Sequence, residues 1–385
     1  MKMKKVTSVL LVAAMAVGCF AGCGNSAAKK DADKYYIGGI GPTTGGTAIY
    51  GTAVMNGAQI AVDEINEDGG INGKKIEFNF QDDQGDAEKS VNAYNTLKDW
   101  GMQVLMGTVT TTPCVAVADK TSADNMFEVT PSASSTDVID NDNVFQVCFT
   151  DPAQGTKSAQ YIGEHQIASK VAIIYDSSDV YSSGIEENFV KEAKKQGIEV
   201  VTEEAFTADS KTDFSTQLKK AQDAGAELVF LPIYYAEAAI ILTQADQMGF
   251  APKFFGCDGL DGLLTVENFD TKLAEGVMLL TPFAADAQDE LTTNFVTKYK
   301  DKYKETPNQF AADGYDAIYA IKAAIEKADA TSDMSASDMA DALKKAMTEI
   351  KIDGLTGSGM QWLESGEVNK DPKAVVIQNG VYVGM

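Results

Sequence analysis

Histidine is nearly absent from this chain: His165 is the only one in 385 residues. A histidine-rich zinc site, or chemistry that shuttles protons between several imidazoles, is therefore excluded. Positive charge is also scarce. Thirty-two Lys and Arg residues face 56 Asp and Glu, a formal charge of −24, and so acidic a surface repels phosphate backbones and anionic headgroups. Nucleic acid is accordingly not an expected partner. Of five cysteines, Cys114, Cys148 and Cys257 lie in the body of the chain without CxxC or other metal spacing. They read as small buried hydrophobes, with one disulfide among them left open. GxSxG, Walker A and HExxH motifs are missing, as is a Cys–His pair suited to catalysis. No enzymatic activity, cofactor or metal is expected. The run Gly39-Ile40-Gly41-Pro42-Thr43-Thr44-Gly45 misses the dinucleotide fingerprint, because its third glycine falls one place late.

The length fits two domains, each able to bury a core without disulfide or metal staples. The first residues read as an address. Three lysines within residues 1–5 precede an apolar run at 9–17, VLLVAAMAV, which is shorter than the ~20 residues a membrane span needs. Phe20-Ala21-Gly22-Cys23 then resembles a bacterial lipobox, with Gly18-Cys19 a less well-spaced second choice. The expectation is a lipoprotein signal peptide over 1–22, acylation of Cys23 and a polar tether over 23–33. A secreted protein cleaved near the same place is the plainer alternative. Cleavage before Cys23 removes three of the basic residues and leaves 363 residues with a charge near −27.

The body alternates strand and helix. Residues 35–40 read as a strand, and 50–67 as a helix whose apolar positions Val54, Ala58, Ala61, Val62 and Ile65 keep helical spacing up to Gly69-Gly70. Strand 75–81, helix 87–100, strand 103–106, helix 113–123 and strand 126–130 follow. A second series begins near Asp151: helix 152–165, strand 171–175, helix 184–196, strand 198–206, helix 213–224, strand 228–231, helix 236–248, and strands 253–256 and 276–281. Two such series predict an α/β protein of two doubly wound parallel-sheet lobes. Beyond 281 the pattern turns helical, at 290–303, 310–327 and 336–347. A final hairpin, 374–378 and 381–383 around Asn379-Gly380, is too small for a domain and should extend one of the sheets.

In doubly wound sheets, ligands sit just beyond strand C-termini. Four such loops carry suggestive chemistry. After the 103–106 strand, Thr108 to Thr112 precede Pro113, an N-cap cluster with proline expected at the first helical position, where free N–H groups suit a carboxylate. After the 126–130 strand comes Pro131-Ser132-Ala133-Ser134-Ser135. The 228–231 strand is followed by Tyr234 and Tyr235, and the 253–256 strand by Asp258-Gly259. Capping, turn formation and packing are the ordinary jobs of such residues. Together they would instead place anion donors in the first half, and an aspartate with aromatic walls, Tyr181 among them, in the second. That arrangement suits a zwitterion held between two domains.

Gly41-Pro42-Thr43-Thr44-Gly45 with Tyr50-Gly51, residues 58–73 (AQIAVDEINEDGGING), Gln81-Asp82-Asp83, residues 129–134 (VTPSAS) and Phe254-Phe255-Gly256 resemble the leucine/isoleucine/valine-type solute-binding proteins of ABC importers, the type I periplasmic binding fold. The resemblance covers nearly all of the chain after Cys23. It implies a small amino-acid ligand, branched-chain or similar, and the permease subunits of an importer as partners. It also implies a monomer on the extracellular face of a Gram-positive cytoplasmic membrane, anchored only by lipid. By position, Thr111 would hold the ligand carboxylate, Ser132, Ala133 and Ser134 would touch both its charged groups, and Asp258 would meet the ammonium, where leucine-type binders tend to have Glu. Tyr50, Tyr181, Tyr234 and Phe310 would wall the side chain. Three crossings, near 151, 282 and 356, would assemble the first lobe from 34–150 plus 283–355 and the second from 151–282 plus 356–385. An amide, urea or aromatic acid as ligand, or a sensory domain without transport, stays open.

Overall fold

A computed structural model describes residues 31–385. The expected signal peptide, Cys19, Cys23 and most of the tether lie outside the described residues. Twelve strands form two sheets among these residues. The first half builds a five-stranded parallel sheet from β1 (Lys34–Gly41), β2 (Lys75–Asp82), β3 (Val104–Met106), β4 (Phe127–Thr130) and β5 (Val144–Gln146), in the order β2-β1-β3-β4-β5. Between these strands run α1 (Ala48–Glu67), α2 (Ala87–Trp100) and α3 (Thr111–Asp124). Strands β3 and β4 are buried at every position, as parallel strands covered on both faces must be.

The second half repeats the plan. Strands β6 (Lys170–Asp176), β7 (Glu199–Phe206), β8 (Leu228–Leu231), β9 (Lys253–Gly256) and β10 (Met278–Thr281) are parallel and lie in the order β7-β6-β8-β9-β10. The terminal hairpin, β11 (Lys373–Gln378) and β12 (Val381–Gly384), adds two antiparallel strands beside β10. Its turn residues Asn379 and Gly380 both have positive φ, 53° and 75°, the geometry that an Asn-Gly turn supplies. Helices α4 (Asp151–Glu164), α5 (Val180–Gln196), α6 (Ser215–Asp223) and α7 (Tyr235–Gln247) complete this half.

Helices α8 (Glu290–Tyr303), α9 (Gln309–Lys327) and α10 (Ala336–Glu349) return to the first half: α9 packs along α1, and α10 packs against α9 and β4. Glycines make the α1–α9 seam tight. A methyl group on Gly57 would strike the Ala311 carbonyl, and one on Gly314 would strike the Val54 carbonyl. The α9 side chains Asp313 and Asp316 face the inter-sheet connections. Asp316 accepts from Leu355 N (2.8 Å), Thr356 N (2.9 Å) and Thr356 Oγ1 (2.6 Å). Buried Lys370 donates to the Val147 carbonyl (2.8 Å) and lies 3.3 Å from Asp313. Trp362 Nε1 donates to Gln146 O (2.7 Å).

Most boundaries shift by one or two residues from expectation, and three differences are larger or bear on the site. Helix α3 starts at Thr111, so Pro113 is its third residue rather than its first; proline lacks an N–H, and the first-turn N–H groups have no intrahelical acceptor anyway. Helix α5 begins at Val180, not 184, which puts Tyr181 in its first turn. Strand β5 has no counterpart in the expected series.

Candidate functional site between the sheets

The five parallel strands of each sheet share one order, which places a topological switch point beside β1 and β3 in the first and beside β6 and β8 in the second. The residues beyond those strand ends meet in one enclosed chamber. Its lining includes Tyr50, Thr110, Thr111, Ser132 and Phe310 from the first half, and Tyr181, Tyr234, Asp258 and Gly259 from the second. Seven of the nine expected site residues thus come together.

The other two, Ala133 and Ser134, stand behind the lining. The Ala133 N–H is spent on Thr130 Oγ1 (3.0 Å), and its methyl group packs with Cys114 and Val138. Ser134 N donates to Thr111 Oγ1 (3.2 Å). These bonds belong to a lacing of the two hydroxyl loops: Ser132 Oγ donates to Val109 O (2.6 Å), and Thr130 Oγ1 to Thr108 O (2.6 Å). The lacing fixes the loops and leaves the buried Thr110 hydroxyl with no partner among the described residues, a polar group that costs free energy unless something binds it.

The opposite wall is acidic and aromatic. Asp258, buried just after β9, accepts from Tyr181 Oη (2.7 Å), and its own N–H donates to Gln154 (3.2 Å). Burial pushes its carboxyl up to about 6, against the Tyr181 hydrogen bond. The Tyr181 and Tyr234 rings stack at 4.9 Å, and Tyr50 and Phe310 lie 4.2 Å apart. Tyr50 also bridges the halves: its hydroxyl donates to Gly259 O (2.5 Å) and accepts from Tyr235 N (3.2 Å). Gln309 N, at the start of α9, donates across the cleft to Asp261 Oδ2 (2.8 Å), and Thr112 donates to Asp179 (3.1 Å).

Sequence reasoning missed Asp151. The first residue of α4 is 1% exposed, and among the described residues the neighbouring Ser134 hydroxyl is the one donor its carboxylate has within reach. Burial pushes this carboxyl well above the usual range, and nearby Asp258 and Asp179 push it further, against the Ser134 hydroxyl beside it. An aspartate at a helix start is ordinarily a cap, and only its deep burial beside other acids marks it out.

Closed this far, the chamber measures about 10 Å³ for the centre of a water-sized sphere, about what one water requires. A solute of several heavy atoms enters only if the halves part. Among the described residues, no group of three or more His, Cys, Asp or Glu side chains could hold a metal ion, and no helix is long and apolar enough to cross a membrane.

Residues 34–380 match the model of a periplasmic binding protein family. A Leu/Ile/Val-binding protein homolog of Brucella melitensis is 33% identical over 310 residues, covering 78% of this chain and 81% of its own. The leucine-, isoleucine-, valine-, threonine- and alanine-binding protein of Pseudomonas aeruginosa is 29% identical over 330 residues, 85% of this chain and 86% of its own. Among solved structures, the branched-chain amino acid transporter substrate-binding protein LivJ of Streptococcus pneumoniae, in complex with isoleucine, superposes with a TM-score of 0.82 at 27% identity, over 91% of this chain and all of that one. The chain therefore belongs to the periplasmic binding protein family: it is an extracytoplasmic solute-binding protein of the kind that serves ABC transporters, and not an enzyme.

Proposed function

We propose that this protein captures a small amino acid, branched-chain or similar, in the chamber and delivers it to the permease of an ABC importer. One observation carries the reading: threonine and serine residues at the strand ends of one sheet face a buried carboxylate with tyrosine walls at the strand ends of the other. A zwitterion matches both sides. Its carboxylate would meet the Thr110 and Thr111 region, where α3 begins, and its ammonium would meet Asp258. Tyr50, Tyr181, Tyr234 and Phe310 would surround the side chain. Closure takes these charges out of water, where a few aimed hydrogen bonds gain strength. The interlobe bonds of Tyr50, Gln309 and Thr112 would then hold the lobes together.

In this reading the lobes comprise 34–150 plus 283–355 and 151–282 plus 356–385, and the three connections between them act as the hinge. The mature protein would be a monomer, tethered through acylated Cys23 to the outer face of the cytoplasmic membrane, with lipid as its only membrane contact. Titration calorimetry with the twenty amino acids tests the ligand class. Saturable heat is expected from at least one aliphatic amino acid; silence from all of them would refute the amino-acid reading while leaving the fold untouched.

A further inference from the structure

Two of the chain stretches that join the halves meet at one buried cation. Lys370 lies three residues before β11, the strand by which the chain from α10 enters the second sheet. Its side chain is 1% exposed, and its ammonium reaches back to the first half. It donates to Val147 O (2.8 Å), just past β5, and faces Asp313 of α9, itself 2% exposed, at 3.3 Å. Val147 is held to the first sheet by its own N–H, which donates to Thr130 O (2.9 Å). The stretch before Lys370 is held there too: Gln146 N donates to Gly366 O (2.9 Å), and Trp362 forms a bridge with Val368.

The next residue belongs to the other side. Asp371 is exposed and pairs with Lys157 of α4 (3.2 Å), the helix that packs along α5 in the second half. Side chains of adjacent residues thus grip opposite halves, which puts the pivot of this connection at 370–371. The two grips differ in strength. An exposed ion pair is worth little, whereas a buried charge is costly to leave without its partner. Helix α9 carries the stronger grip to the chamber. Gln309, one turn before Asp313, donates from its side chain to Asp258 O (3.3 Å), and Phe310 lines the chamber.

We infer that Lys370 is a positioning residue for solute capture: its ammonium pins the α10–β11 connection to Val147 and α9, and so limits how far the halves part. A protein that opens less loses less freedom on closing, so the pin tightens capture. The charges around it add a pH dependence. Asp313 faces Lys370, with Asp316 one turn along its own helix, the buried Cys148 thiol of the first connection nearby and Asp258 beyond. Burial raises its carboxyl to about 7, Lys370 opposes the rise, and Asp316 and Asp258 add to it. Below that pH Asp313 takes a proton and the pin loses its counter-charge, so affinity falls on acidification by more than the titration of Asp258 alone dictates. The effect on capture rests on the amino-acid reading of the chamber; the pin itself is present without solute.

The test compares wild type with Lys370→Met, Asp313→Asn and the two combined, with L-leucine as probe, read by calorimetry, melting temperature and X-ray scattering. Lys370→Met is expected to weaken leucine about fivefold or more and to enlarge the radius of gyration of the solute-free protein. The double variant removes both charges of the pair, so it should regain most of the melting temperature but not the affinity. It also keeps the test decisive if Lys370→Met fails to fold. Asp313→Asn should lose affinity less steeply than wild type between pH 8 and 5. Wild-type affinity in Lys370→Met, affinity restored together with stability in the double variant, or a wild-type pH profile in Asp313→Asn would each overturn the proposal. Silence of the wild type towards leucine would count against the amino-acid reading instead, and the solute-free radius then decides: a radius equal to wild type in the charge-removing variants overturns the pin.

Discussion

The parallel strands of the two sheets lie in the same order, yet the sheets bring opposite chemistry to the cleft. The first sheet ends in loops of threonine and serine laced to each other by hydroxyl hydrogen bonds. The second ends in tyrosines and a buried aspartate, with a second buried acid, Asp151, nearby. Topology determines where a site forms; loop composition determines what it can hold. Buried acids separate the halves again. Glu128 of β4 is enclosed by Thr121 (2.6 Å), Cys114 (3.3 Å) and the first sheet, whereas Asp258 faces the chamber. Titrating the first should change stability alone, and titrating the second should change capture.

The largest expected effect probes that division. Burial raises the Glu128 carboxyl from its ordinary 4.5 to about 8. The folded state thus binds a proton that the unfolded state releases, so the associated stability is complete below pH 4.5 and is lost as pH rises towards 8. The loss amounts to about 1.4 kcal/mol per pH unit within that window. Glu128→Gln should flatten the decline in melting temperature between pH 5 and 8 and leave solute affinity unchanged; an altered affinity would break the division. Next, Asp258→Ala should weaken an amino acid by more than about 1.5 kcal/mol, the scale of a hydrogen bond to a charged group. Unchanged calorimetric affinity would remove Asp258 from the site.

Tyr50→Phe removes both cross-cleft bonds of one hydroxyl. It should cost about 1 kcal/mol of affinity and raise the radius of gyration of the solute-bound protein in X-ray scattering; a radius identical to wild type would show that this bridge does not hold the lobes. The smallest effect belongs to Ser132→Ala, which loses the bond to Val109 O. About 0.5–1 kcal/mol of affinity should disappear, through a looser loop, so hydrogen exchange at 108–111 should quicken with it. Slower affinity loss than exchange gain would mean that the lacing serves the fold rather than the cleft.

Much of the site could be read from the chain because its residues sit at strand ends, and strand ends are visible as local patterns. Thr111, Ser132, Tyr181, Tyr234 and Asp258 each follow an apolar run within a few residues. Ala133 and Ser134 sit in the same loop, but their backbone N–H groups turn inward to Thr130 and Thr111, a choice between neighbouring amides that sequence does not express. Asp151 looked like a helix start and a crossing point. Asp261 has no local pattern to distinguish it, because its bond to α9 joins residues 48 positions apart.

The sequence alone determined the alternation of strand and helix, the two-sheet plan, the Asn-Gly hairpin and the hydroxyl-rich loops, because periodicity, turn chemistry and capping act over a few residues. Tertiary structure alone decided that α9 lies against α1 at backbone distance through Gly57 and Gly314, bringing Phe310 to Tyr50 across 260 positions of chain. It also decided which acids are paired and which are buried beside other acids. Burial and hydrogen-bond partnership are properties of what the fold brings near, and no local pattern records them.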